Sequence, residues 1–201
     1  MIGEEHAVRK ATGSDKKALA AVLARAFDDD PVMSWFFRGD ENRRMGRNRR
    51  FFEMRLRQLL PHGETYTVDG AQGAAVWALP DRWRLGRIEE LRMGVALFFA
   101  LGRRIPQAVK GFEMIEAAHP RTPHYYLAVL GTEPDQQGRG IGSALMQPVL
   151  EMCDRDEVPC YLESSKERNI AFYARHGFRV TDEIELPGGP PVWPMWRDPR
   201  P

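Results

Sequence analysis

Seven consecutive residues, Gln137, Gly138, Arg139, Gly140, Ile141, Gly142 and Ser143, have the types and spacing to hold a phosphate. They follow an apolar run at 125–130 and open an amphipathic segment that begins Ala144-Leu145. A strand, a glycine-rich turn and a helix in that order form an anion cradle. Glycine lets the backbone turn and approach a ligand closely. The unpaired N–H groups of a helix's first turn then point at the anion. Arg139 sits inside this cradle. A second pair follows: Asn169 and Tyr173 are four apart, so on a helix they share one face, which can look into a cleft.

Two nucleotide-binding templates fail on the same turn. A P-loop ends in Gly-Lys-Ser or Gly-Lys-Thr, and Gly142-Ser143 has no lysine. The dinucleotide fingerprint places its third glycine three residues after the second and lies early in a βαβ unit. Here the glycines fall at 138, 140 and 142, in the second half of the chain.

The elements that must position these residues are readable from periodicity. Residues 7–10 are predicted as a short first strand. Ser14 is placed to cap a helix on which Leu19, Val22, Leu23, Ala26 and Phe27 recur at helical spacing. Pro31, after Asp28-Asp29-Asp30, ends it. A short segment with Trp35, Phe36 and Phe37 follows. A second helix spans 41–60, with Met45, Phe52, Leu56 and Leu59 on one side and arginines over a solvated remainder. Strands at 66–68 and 74–79 form a hairpin about Asp69-Gly70. Helices are predicted at 87–101 and 106–118, then a strand at 125–130, the glycine turn, and a helix at 140–154. A strand at 160–164 leads to a helix at 169–176, which Gly177 stops in the left-handed conformation. Final strands at 178–186 and 192–196 are joined by Pro187-Gly188-Gly189-Pro190-Pro191. Hairpins combined with crossover helices imply an α/β fold with a mixed sheet and helices on both faces.

The pattern Gln137-x-x-Gly140-x-Gly142 after a strand resembles the acetyl-CoA signature of the GNAT superfamily of N-acetyltransferases. The segment from Asn169 through Tyr173 to Gly177-Phe178 is similar to that superfamily's C-terminal motif. The resemblance narrows through Ala75-Val76-Trp77 before Pro80, Tyr161 to Ser165, Arg168-Asn169, Phe172-Tyr173, and the ending from Pro187 to Trp193 and Met195. These are similar to the puromycin N-acetyltransferases, convincingly over residues 125–195 and thinly before residue 66. The resemblance implies a GNAT-type fold: a mostly antiparallel central sheet, helices on both faces, and a splay between the two central strands. It implies acetyl-CoA as donor. The implied cofactor-binding residues are Val129, Leu130, Gly131 and Thr132 of the central strand, residues 137–143 of the turn, and Asn169 and Tyr173. The amine then attacks the thioester directly, through a tetrahedral intermediate, and no acyl-enzyme forms.

That chemistry makes three demands. The amine must lose a proton, because an alkylammonium has a pKa of about 10 and each tenfold gain in its neutral form costs about 1.4 kcal/mol. The carbonyl oxygen needs donors as it takes charge, for which the resemblance offers a backbone N–H near Val129 or Leu130. The leaving sulfur needs a hydrogen bond or a proton, and Tyr173 is assigned to give it. Glu163, at the end of the strand that splays from the central one, is the candidate base or a structural partner of a nearby group. His124 and Asp30 are weaker candidates; His124 can simply be exposed, and Asp30 can be a helix terminator or can meet a cationic acceptor. Trp35, Phe36, Trp77 and Trp193 are candidates to line an aromatic acceptor pocket. The expected acceptor is a small-molecule amine, such as an aminonucleoside or another antibiotic amine. The alternatives are a protein N-terminal or lysine acetyltransferase, and a catalytically silent acyl-CoA sensor.

Length and charge bound the rest. With 201 residues the chain is expected to form one GNAT domain over 1–201. A formal net charge of +1 gives no support to nucleic-acid binding. The longest apolar run, 93–101, is too short to cross a bilayer. Cys153 and Cys160 show no metal-ligand spacing, so no metal is expected and both are read as reduced, buried thiols. A soluble cytoplasmic protein is the expectation, with the apolar helix at 87–101 available for a homodimer.

Overall fold

The computed structural model describes residues 6–37, 41–80, 82–83 and 105–200. The expected helix at 87–101, and the dimer surface read on it, lie outside the described residues. In chain order the elements are β1 (Val8–Lys10), α1 (Lys16–Ala26), α2 (Pro31–Phe36), α3 (Glu41–Leu59), β2 (Thr65–Val68), β3 (Gly73–Ala78), α4 (Ile105–Ala118), β4 (Tyr125–Thr132), α5 (Ile141–Arg155), β5 (Cys160–Ser164), α6 (Ile170–Arg175), β6 (Arg179–Val180), β7 (Ile184–Glu185) and β8 (Pro191–Arg197).

The strands form one sheet in the order β1-β2-β3-β4-β5-β8-β6, with β7 pairing on β8. All pairs are antiparallel except β4 with β5. Parallel neighbours need a crossover rather than a hairpin, and α5 supplies it. β3 shows why both faces are covered. Its side chains alternate between faces, with Ala74, Val76 and Ala78 packing among α1, α2 and α3. Ala75 and Trp77 pack on the other face with Leu145, Met146 and Val149 of α5.

Several expected details change. Ser14 does not cap α1; Asp15 holds the N-cap position, and its carboxylate takes the backbone N–H of Thr12 and pairs with Arg9. The run 178–186 is not one strand: it breaks into β6 and β7. Cys153 and Cys160 are not free thiols. The end of α5 turns directly into β5, which brings their Cα atoms to 6.8 Å, and the two form a disulfide. Among the described residues no helix is long and apolar enough to cross a membrane.

Candidate active site

β4 and β5 pair at only two positions, Tyr125 with Cys160 and Tyr126 with Tyr161. Both strands run on, to Thr132 and Ser164, and a cleft of about 420 Å³ opens between them. A bulge lies where they part. Val76 of β3 faces Val129, but the next residue, Trp77, faces Leu127, which leaves Ala128 as the extra residue of β4. A bulge bends and twists its strand. Successive strand residues send their amides to opposite neighbours. With no partner beyond Tyr126 on that side, alternate amides of β4 face the cleft. Val129, Leu130, Gly131 and Thr132 all stand in its wall. Gly131 is required by packing: a Cβ there would lie 2.8 Å from Leu23 Cδ2 of α1.

The glycine turn forms one end of the cleft. Gly138 and Gly140 have φ of +79° and +87°, a region that side chains disfavour. A Cβ on either would meet nothing within 4 Å, so the requirement at both is conformation rather than space. Gly140 is the N-cap of α5 and gives its first turn no side-chain cap. The first intrahelical bond runs from Ala144 N–H to the Gly140 carbonyl, at 3.0 Å, so the amides of Ile141, Gly142 and Ser143 lie before it. The side-chain amide of Gln137 donates to the Thr132 carbonyl at 3.3 Å and folds the turn back on β4. Arg139 is exposed and outside the cleft wall; its carbonyl is paired with His6 Nε2 at 2.8 Å. Lys166, Arg168 and Arg175 supply cationic side chains to that wall.

Asn169 and Tyr173 both reach the cleft, Asn169 from the N-cap position of α6 and Tyr173 from within it. Tyr173 is 8% exposed. Burial, and then the charge of Asp30, push its phenol well above the ordinary tyrosine value. The hydroxyl therefore keeps its proton, the state an acid needs. Asp30 is buried as the N-cap of α2. One carboxylate oxygen accepts the amides of Val32 and Met33 at 3.0 and 2.9 Å, and the other accepts the Ser165 hydroxyl. Burial raises the Asp30 carboxyl, and these hydrogen bonds oppose the rise. Beside it, Asp29 pairs with Lys166 and with Arg168, so the loop before α2 is tied across to the loop after β5.

Glu163 stands in the cleft wall on β5. Its side chain is 9% exposed, and Oε1 lies 3.4 Å from His119 Nδ1. Its charge, after burial, raises the phenols of Tyr126 and Tyr161. His124 is not exposed: it is 1% accessible and paired with His119. The proposed aromatic pocket is not assembled. Trp77 turns toward α5, on the covered face of β3. Trp35 is wedged in the core, where a Cβ on Gly111 or Gly189 would come within 2.8 Å or less of its ring. Trp193 is half-buried on β8, opposite Ser164. Among the described residues, the aromatic side chains in the cleft wall besides Tyr173 are Phe27 and Phe172. Sequence reading missed Ser165, Lys166, Arg168 and His119 as site residues. Ser165 and Arg168 flank recognised motifs, whereas His119 gave no signal beyond being one of two histidines five residues apart.

Residues 98–180 match the acetyltransferase (GNAT) domain family, a span that contains both the glycine turn and Tyr173. An uncharacterized N-acetyltransferase of Schizosaccharomyces pombe is 27% identical over 192 residues, covering 90% of this chain and 77% of that protein. The crystal structure of histone acetyltransferase HPA2 and related acetyltransferase from Corynebacterium glutamicum superposes with a TM-score of 0.73, at 24% identity, over 96% of each chain. A Drosophila melanogaster polyamine N-acetyltransferase, which forms N-acetylagmatine, superposes with a TM-score of 0.66, at 16% identity, over 96% of this chain and 100% of that one. The fold is the GNAT fold. The chain is an acetyltransferase of that type, with acetyl-CoA as its donor.

Proposed function

We propose that this enzyme transfers the acetyl group of acetyl-CoA to the amine of a small, cationic molecule. One observation carries the reading: the parting of β4 and β5 sets Glu163 and Tyr173 in the walls of the same cleft, with the glycine turn at its end. The turn suits a diphosphate because its left-handed glycines and first-turn amides present donors without side chains in the way. Lys166, Arg168 and Arg175 suit further phosphate charge. When bound, acetyl-CoA would supply an activated thioester carbon, whose C–S bond is exchanged for a C–N bond to the amine by addition and then elimination.

The chain's own groups then divide the proton work. Glu163 takes the first proton from the ammonium group, which frees the nitrogen lone pair. A β4 amide near Val129 donates to the carbonyl oxygen as that oxygen takes charge. Tyr173 donates to the departing sulfur, and the second proton lost by nitrogen restores the balance. The net change is one ammonium and one thioester giving an amide, a thiol and one proton to water. A carboxylate in the cleft wall favours a cationic acceptor. The cleft volume and the ties from Asp29 and Asp30 to the loop after β5 favour a small acceptor over an open peptide groove. The likeness to a polyamine acetyltransferase points the same way. The resemblance to puromycin N-acetyltransferases keeps aminonucleosides in the set to be tried.

The test is thiol release from acetyl-CoA across polyamines, arylalkylamines, aminonucleosides and lysine-containing peptides. Turnover confined to small amines is expected. Acetylated peptides, found by mass spectrometry without turnover of any small amine, would replace this reading with a protein acetyltransferase. Tight cofactor binding with no turnover at all would leave an acyl-CoA sensor.

A further inference from the structure

A line of buried polar atoms runs inward from the cleft wall. Glu163 Oε1 lies 3.4 Å from His119 Nδ1. His119 Nε2 lies 2.9 Å from His124 Nε2, and His124 Nδ1 lies 2.6 Å from the Thr122 carbonyl oxygen. His119 is 8% exposed and His124 1%. Glu163 Oε1 is itself buried and makes no hydrogen bond.

The last acceptor fixes the proton count. A carbonyl oxygen only accepts, so His124 Nδ1 carries a proton. The contact between the two imidazoles needs one proton, and so does the contact between imidazole and carboxylate. Three contacts need three protons, but two neutral imidazoles and a carboxylate carry two. If His119 is protonated on Nε2, its Nδ1 lone pair faces the carboxylate. If it is protonated on Nδ1, its Nε2 lone pair faces that of His124. Either arrangement sets acceptor against acceptor in a buried site, where an unmade hydrogen bond is costly. The assembly is completed by one further proton.

The geometry points to Glu163, His119 and His124 acting as a single base that takes one proton from the acceptor's ammonium group, with His119 as the residue that positions and shares it. This rests on the acetyltransfer reading above. The ammonium gives its proton to the Glu163 carboxylate oxygen that is not turned to His119, and rotation of the carboxyl group about its last bond carries that proton to His119 Nδ1. The amine goes from +1 to 0 and the unit from −1 to 0, and no bond to carbon changes in that step. The unit releases the proton to water after turnover. The 3.4 Å link is long, as catalytic hydrogen bonds often are before substrate binds.

Aromatic rings among the described residues hold the unit in place. Trp83 stacks on His119 with ring centroids 3.6 Å apart, and Tyr126 and Tyr161 present edges to His119 at 4.9 and 4.7 Å. Trp196 meets His124 at 5.7 Å. The two phenols stay protonated, being raised by burial and by Glu163. Arg55 of α3 acts on Tyr126, and Asp182 acts on Tyr161.

Imidazole nitrogen NMR on the full chain, without any substrate, tests the proton count; the pH dependence of kcat tests its use. His124 is expected to carry its proton on Nδ1 when neutral. His119 is expected to gain a proton on Nδ1 as pH falls, in a step that Glu163→Gln abolishes, because the amide of glutamine can donate to that nitrogen. The acid limb of kcat should follow the same midpoint. Reference imidazole and carboxyl values lie about two pH units apart, so in His119→Asn that limb should move down by about one pH unit or more, and kcat at neutral pH should fall about tenfold. An unmoved limb in folded His119→Asn, or an unchanged His119 titration in Glu163→Gln, overturns the proposal. If His119→Asn does not fold, the Glu163→Gln spectrum decides alone. The spectra judge the unit even if no amine is turned over, and an active enzyme with an unmoved limb removes the unit while leaving the acetyltransfer reading intact.

Discussion

The two ends of the cleft are built on different principles. The end proposed to hold the cofactor is backbone: seven consecutive residues, two of them glycines held at positive φ, leave the first amides of α5 without a side-chain cap. The end proposed to hold the base is side chain. Glu163 comes from β5, His119 from just after α4, and His124 from the turn before β4. A backbone site is local because successive amides already lie together. A side-chain site is assembled by the fold: His119 and Glu163 lie 44 positions apart in the chain. The first tolerates changes of side chain that preserve its dihedrals, and the second depends on each member.

The sharpest break between the ends should come at Tyr173. Tyr173→Phe removes one oxygen from the proposed acid and adds no bulk to α6. A fall in kcat of about a thousandfold is expected, about 4 kcal/mol. Coenzyme A affinity by calorimetry should move less than about threefold, because the glycine turn is untouched. Unchanged kcat would remove Tyr173 as the acid.

A frame common to both ends should register next. Arg197, at the end of β8, is 2% exposed and donates to Asp154 of α5 at 2.7 Å and to the His176 carbonyl at 2.9 Å. Asp154→Ala strands that guanidinium, and a loss of about 3 kcal/mol is expected in chemical denaturation. The Arg197 hydrogen bond holds the Asp154 carboxyl below its usual value. For a lowered carboxyl the stabilisation is present above the unfolded value, about 3.9, and is lost as pH falls through the folded one. The variant and the parent should therefore converge in stability below about pH 4.

Gly140→Val addresses the cofactor end alone. A Cβ at this position would have no neighbour within 4 Å, but a β-branched residue at φ of +87° is strained by more than about 1–2 kcal/mol. The turn should relax to another conformation and weaken coenzyme A binding about tenfold. At saturating donor, kcat should stay within about threefold, since Glu163 and Tyr173 keep their places. Unaltered affinity would mean that the amides of this turn are not the phosphate contacts.

The same contrast explains what was legible in the sequence. The strand, turn and helix at 125–155 were readable because glycine spacing and periodicity are local properties. The mostly antiparallel sheet followed from hairpin signals and one crossover. Ser14 competed with its neighbour Asp15, and Asp15 won the N-cap position because Arg9 and the Thr12 amide hold it there. Trp35 and Trp77 have the chemistry of a binding pocket, but an indole's type does not say which face of an element it will occupy; both went to the core. The disulfide depends on how sharply the chain turns between α5 and β5. His119 became a site residue only when β4 and β5 brought Glu163 alongside.

The smallest expected effect tests whether the ends are joined by more than the sheet. Asp29 and Asp30 are adjacent and both reach the loop after β5, yet they differ in exposure. Asp30 is 1% exposed and fully hydrogen-bonded. Asp29 has a side chain 60% exposed; of its two partners Arg168 is 65% exposed and Lys166 13%. Burial raises the Asp29 carboxyl, but Lys166 and then Arg168 outweigh it and leave the carboxyl below its usual value. Water and salt screen such a pair, and its measured contribution is about 0–1 kcal/mol. Asp29→Ala should therefore cost less than about 1 kcal/mol at low salt. The difference should shrink in 1 M salt, where the screening length is about 3 Å, and as pH falls from about 4 through the lowered value of the folded carboxyl. Lys166 and Arg168, once released, remain in the cleft wall, so coenzyme A affinity should not fall. A loss above about 2 kcal/mol, beyond what an exposed pair supplies, would mean that this tie holds the base end in register with the cofactor end. The two would then be one cooperative site rather than a local cradle beside an assembled base.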